Sequence, residues 1–145
     1  VRVKNPFKKP HSGPHRTLTV MIPGEPVPLA RARQGRHGWY LPQRSRDYRT
    51  LVQQHFRLAL NRHPGWRTDQ PMSVWMQFGR VSRRRSDLDN FLKAILDAAN
   101  GLIVQDDSQV HTIYATMYCA PAGAAWVEFS QDGATRRDRH VHNHG

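Results

Sequence analysis

The chain is short of cysteine, of acids and of long apolar runs, and each shortage excludes something. One cysteine, Cys119, in 145 residues leaves no partner for an internal disulfide and no Cys-rich zinc site. No apolar stretch approaches the roughly 18 residues needed to span a bilayer, and no signal-peptide pattern opens the sequence, so a soluble cytoplasmic protein is expected. Leu, Ile, Val and Phe together make up only about a fifth of the chain, near the range of disordered sequences. The ends cause that dilution, because most of these residues lie between positions 17 and 130. Three segments are therefore expected: a disordered basic arm over 1–16, a compact domain over 17–130, and a polar flexible tail over 131–145.

Acids are scarce against bases. Lys and Arg number 22, Asp and Glu 11, and the net charge is +11 with nine neutral histidines. Such an excess points to a polyanion, nucleic acid or an anionic membrane surface. The placement of the acids says more. Asp87, Asp89, Asp97, Asp106 and Asp107 fall in one stretch, with Lys93 as their only internal counter-charge, directly after Arg80, Arg83, Arg84 and Arg85. Carboxylates repel phosphate, so a protein that merely held DNA gains nothing from them. One that sets a metal ion against phosphate needs them.

Periodicity supplies the scaffold. Thr17–Ile22 reads as a short strand and Pro23–Pro28 as a rigid loop. Arg31, Arg33, Arg36, His37, Trp39 and Tyr40 then mix cations with aromatics, which suits a loop that touches a nucleic-acid backbone or a solvated loop equally. From Ser45 apolar residues recur at three- and four-residue steps, a helix ended by His63-Pro-Gly. Met72–Val81 alternates as a strand, and a second helix runs from Ser86–Asp87 to Asn100-Gly101. Gln109–Tyr118 and Ala125–Ser130 complete a strand–helix–strand–helix–strand–strand order, a small α+β domain.

On this scaffold Asp87 and Asp89 enter the second helix, where Asp89, Lys93 and Asp97 share a polar face. Asp106 and Asp107 lie one loop past its end. Three separated elements are thus expected to deliver carboxylates to one place, as hard Mg²⁺ requires. Each acid also has an ordinary reading: Asp near a helix start caps it, Asp89–Lys93 is an i,i+4 pair, and Asp-Asp before a strand is turn chemistry. Among other features, His140, His142 and His144 form an alternating tail, and His111 flanks the acidic pair. Trp39 and Trp66 could stack on bases, Trp75 and Trp126 belong to core or interface, and Cys119 reads as a small buried hydrophobe.

Ile22-Pro-Gly-Glu-Pro-Val-Pro28, Asp87-Leu-Asp-Asn90, Lys93, Ile95-Leu-Asp-Ala98, Gly101 and Asp106-Asp-Ser-Gln-Val110 resemble the RusA family of Holliday-junction resolvases, in order and spacing over residues 18–118. The resemblance implies a dimeric, RusA-like α+β fold with a mixed sheet and two main helices. It implies a homodimeric, Mg²⁺-dependent endonuclease (Mn²⁺ substituting) of a bacterial or phage-infected cell. Such an enzyme nicks four-way DNA junctions in symmetric pairs and leaves 5′-phosphate ends. It assigns catalysis to Asp87, Asp89, Asp107 and Lys93, and metal binding to the three aspartates with Asp106 beside them. Arg31, Arg33, Arg36, Arg83, Arg84 and Arg85 are the expected DNA contacts. One departure is Leu29-Ala30 before Arg31-Ala-Arg33, where the family often carries Lys-Gly. The rival readings are a non-catalytic junction-binding module with structural acids, and a metal-dependent sugar-nucleotide transferase using Asp87-Leu-Asp89.

Overall fold

The computed structural model describes residues 15–132. The expectations for the body of the basic arm, for the tail beyond Asp132 and for its histidines lie outside those residues. The elements follow as β1 (His15–Pro23), β2 (Arg33–Gly35), β3 (Gly38–Tyr40), α1 (Gln43–Asn61), β4 (Met72–Arg80), α2 (Leu88–Ala99), a 3₁₀ turn (Asp107–Gln109), β5 (Val110–Cys119) and β6 (Ala124–Asp132). This is the small α+β domain with two helices and a mixed sheet. The main sheet runs β1-β6-β4-β5; only β4 and β5 are parallel, and α2 is the crossover that parallel pairing requires.

Alternation decides which face is buried. Leu18, Val20 and Ile22 register against Phe129, Val127 and Ala125, and these against Val74, Met76 and Phe78. All nine are buried, and both helices cover them. Tyr48, Val52 and Phe56 face inward from α1, Phe91, Ile95 and Ala98 from α2. Phe56 meets Phe129 edge-on at 5.6 Å and Phe78 meets Phe91 at 5.4 Å. The opposite face of the sheet carries Met21, Trp126, Trp75 and Tyr114, and among the described residues no helix lies over it; Trp75 and Tyr114 stack at 5.3 Å. Both tryptophans are half-buried there.

Three expectations need correction. The 31–40 segment is a two-stranded hairpin rather than a loop, with Arg33 opposite Tyr40 and Gln34 opposite Trp39. Its turn depends on Gly38, at φ +106°, where side-chain-bearing residues are strained. Cys119 is exposed, because it ends β5, an edge strand the helices cover only in part. The first strand begins at His15, inside the expected arm, and the last reaches Asp132, inside the expected tail, since the β1–β6 ladder holds both ends.

Candidate active site

The acidic segment begins where β4 ends. Asp87 occupies the position before α2, extended at φ −74°, ψ 131°, yet its carboxylate makes no capping hydrogen bond. The capping role that would account for it structurally is therefore unfilled. Asp89 lies in the first helical turn, and Lys93 reaches back one turn to it, with Nζ 3.0 Å from Oδ2. Both side chains are more than half exposed, so this contact contributes little to stability and stays open to exchange. Asp97, expected on the same polar face, pairs instead with Arg49 of α1 and ties the two helices together.

The acidic pair divides its labour. Asp106 caps the 3₁₀ turn: its side chain accepts from the Gln109 backbone and, at 2.7 Å, from Ser108 Oγ, while its own N–H donates to Gln109 Oε1 at 2.8 Å. Hydrogen bonds, first from Ser108 and then involving Asp107, hold its carboxyl below the usual range. Asp107, the first residue of the turn, has no such capping duty. Gln109 Nε2 donates to the carbonyls of Thr68 and Gln70 at 2.7 and 3.0 Å, fixing the turn beside the start of β4. Gln109 was not foreseen from sequence as a positioning residue, since its partners lie far back in the chain.

Within one chain these groups do not converge as expected. Because β4 and β5 are parallel, α2 must run back along the sheet, so Asp87 sits at the Arg80 end and Asp107 at the Met72 end. The 12 residues of α2, rising about 1.5 Å each, separate those ends by roughly 18 Å. Accordingly no group of three or more His, Cys, Asp or Glu among the described residues gathers closely enough to hold a metal ion. Two exposed carboxylates, Asp87 and Asp89, do stand together at the start of α2. Oxygen donors of that kind and number fit Mg²⁺, which takes one or two protein carboxylates and completes its shell with water and substrate phosphate.

Exposed cations lie on the segment that enters α2 and, separately, on the hairpin that follows the Pro-rich loop. Arg83, Arg84 and Arg85 are exposed on the segment leading into Asp87, and Arg31, Arg33 and Arg36 are exposed on and beside the β2–β3 hairpin with Trp39. A clamp holds the region. Glu25 accepts from the Val81 and Ser82 N–H groups at 2.9 and 3.4 Å and faces Arg80 Nε at 3.9 Å. Arg80 in turn donates to the Arg84 carbonyl at 3.0 Å and lies over the Phe91 ring at 4.9 Å. Glu25 and Arg80 were absent from the candidates read off the sequence, because they stand far apart in the chain with no shared pattern to connect them.

The family model for endodeoxyribonuclease RusA matches residues 23–128, from the Pro-rich loop through the first half of β6. The chain belongs to the RusA family. As a RusA family protein it is a DNA nuclease of the kind that resolves Holliday junctions, and the matched span includes every candidate acid, Lys93 and the arginine segments. No curated protein matches the chain. His111 is exposed, with Nδ1 2.8 Å from Thr112 Oγ1, and Trp66 Nε1 donates to the Ile103 carbonyl at 3.1 Å, a structural use of its polar end.

Proposed function

We propose that this chain is a Mg²⁺-dependent crossover junction endonuclease that works as a homodimer and nicks opposed strands of a four-way junction. The observation that carries the reading is the pair Asp87 and Asp89: carboxylates at the start of α2, free of capping bonds or only loosely paired, bordered by arginines in a protein of the RusA family. Asp87 and Asp89 would hold the ion, and Asp107 of a second copy would complete the donor set that a single chain leaves a helix length apart. Bound there, Mg²⁺ supplies Lewis-acid polarisation of the phosphate and lowers the pKa of water. Lys93, one helical turn from Asp89, would offset negative charge that develops on the phosphate. Asp106 keeps the Asp107 turn in place. The arginines bind the flanking backbone, and the twofold axis matches that of the substrate.

The test is a labelled synthetic four-way junction beside linear duplex of the same sequence, incubated with Mg²⁺, with Mn²⁺ and with chelator. Paired symmetric nicks on the junction, dependent on the metal, are expected. Folded protein that binds the junction but cuts nothing with either ion would overturn the catalytic reading in favour of a binding module.

A further inference from the structure

Beside Asp87 lies a cavity of about 440 Å³, within the size range of ligand sites. Its wall is built from four parts of the chain: the Pro-rich loop at Glu25, Arg44 from the first turn of α1, Arg80 from the end of β4, and Ser82, Arg84, Arg85 and Ser86 from the segment entering α2. Glu25 is the one acid among the described lining residues, and its charge is already directed inward, to the Val81 and Ser82 N–H groups and to Arg80. Four arginines therefore line a space with one compensated carboxylate. Arg80 is about nine-tenths buried, and its Nε has no hydrogen-bond partner. Glu25 answers its charge, but a buried donor without an acceptor is still costly unless a ligand supplies one. The start of α1 adds the positive end of a long helix whose first turn has no side-chain cap.

The geometry points to a seat for one phosphodiester of the DNA substrate, flanking the bond to be cut, gripped by Arg44, Arg84 and Arg85 and backed by Arg80. This rests on the nuclease reading and deepens it. Guanidinium forks fit phosphate oxygens in pairs, and Ser82 and Ser86 add neutral donors. Arg80 acts as a positioning residue: its bond to the Arg84 carbonyl fixes the backbone that aims Arg84. The arrangement also separates three consecutive arginines. Arg84 and Arg85 line the cavity and Arg83 does not.

Junctions carrying a single neutral methylphosphonate at successive positions, bound without metal in a gel-shift assay, test the seat. Wild-type protein should show one position near each cleavage point where neutralisation weakens binding about tenfold, the order of one charge-assisted hydrogen bond. Arg44→Ala and Arg84→Ala should bind the natural junction about tenfold more weakly and lose that positional sensitivity. Arg83→Ala should keep the sensitivity, whatever its overall affinity. Arg80 is left intact in these variants because it is buried, and circular dichroism checks that each is folded. If Arg44→Ala and Arg84→Ala retain the full sensitivity, the cavity is not a phosphate seat although the protein is a junction binder. If wild-type protein does not bind the junction at all, the nuclease reading itself falls, and the seat with it.

Discussion

At the scale of single residues, the useful distinction is between acids occupied by structure and acids that are not. Asp106 caps a turn and Asp97 joins two helices, whereas Asp87 and Asp107 have no such duty. Asn in place of Asp87, Asp89 or Asp107 keeps the shape and removes a ligand charge. Each change should abolish junction cleavage while leaving junction affinity equal or modestly higher, because an unneutralised carboxylate repels phosphate by roughly 1–4 kcal/mol at about 4 Å. Cleavage and gel-shift assays on the same preparations decide it, and cutting at the wild-type rate would remove these residues from the site. Tyr48 makes the opposite kind of prediction. Its hydroxyl is buried with no hydrogen-bond partner, and burial first, then the Glu25 charge, push the phenol well above its ordinary pKa, so it stays neutral. Tyr48→Phe relieves that unmet group and should raise stability by about 1 kcal/mol in urea unfolding; a loss of stability would show that the hydroxyl has a partner.

At the scale of elements, the Pro23–Ala30 connection is the joint on which the candidate site turns. Gly24 N–H donates to the Gly123 carbonyl at 3.1 Å, Glu25 holds the start of the arginine segment, Leu29 N–H donates to the Asn90 carbonyl in α2 at 3.0 Å, and Ala30 N–H to Ser45 Oγ in α1 at 3.3 Å. Glu25→Ala leaves two N–H groups without an acceptor and the buried Arg80 without its counter-charge. It should destabilise by about 1–3 kcal/mol, below the figure for a fully buried pair because Glu25 is partly exposed. Glu25→Gln, which retains an acceptor, should recover part of that in the same unfolding assay; equal loss in both would mean the hydrogen bonds contribute nothing. Gly123→Ala strikes the joint from the other side, since a Cβ there would come within 2.5 Å of the Glu25 Cα. What the sequence revealed follows the same line. Both helices and the four long strands were legible because each alternates or repeats along its whole length against one core. The β2–β3 hairpin was not, as its very short strands of Arg, Gly, Gln and aromatics bury nothing. The acids were legible as a cluster along the chain. Their separation was not, because it follows from β4 and β5 being parallel, a pairing between strands that sequence periodicity does not specify.

At the scale of the whole molecule, net charge and one sheet face that no described helix covers bear on behaviour in solution. With +11 and exposed arginines on two segments, phosphate neutralisation should dominate affinity, and each phosphate contact adds about 0.9 to the slope of log K against log salt. A steep slope for junction binding is expected, and a nearly flat one between low and physiological salt would exclude a nucleic-acid partner. The sheet face opposite the helices offers Met21, 42% exposed, and Tyr114, 50% exposed, beside Trp75 and Trp126, an apolar aromatic surface of the kind enriched in subunit contacts. If a second copy seats there, wild-type protein should sediment at twice the 16.7 kDa mass of the chain. Met21→Glu and Tyr114→Glu, both at surface positions that leave the helix-covered core untouched, should shift it to the monomer mass with unchanged circular dichroism. Because Asp107 lies a helix length from Asp87, those monomers should also lose cleavage while still binding DNA through their arginines. A monomeric variant that resolves junctions at the wild-type rate would show that one chain suffices, and that its acidic ends meet by a rearrangement of α2 and the 3₁₀ turn rather than across a dimer.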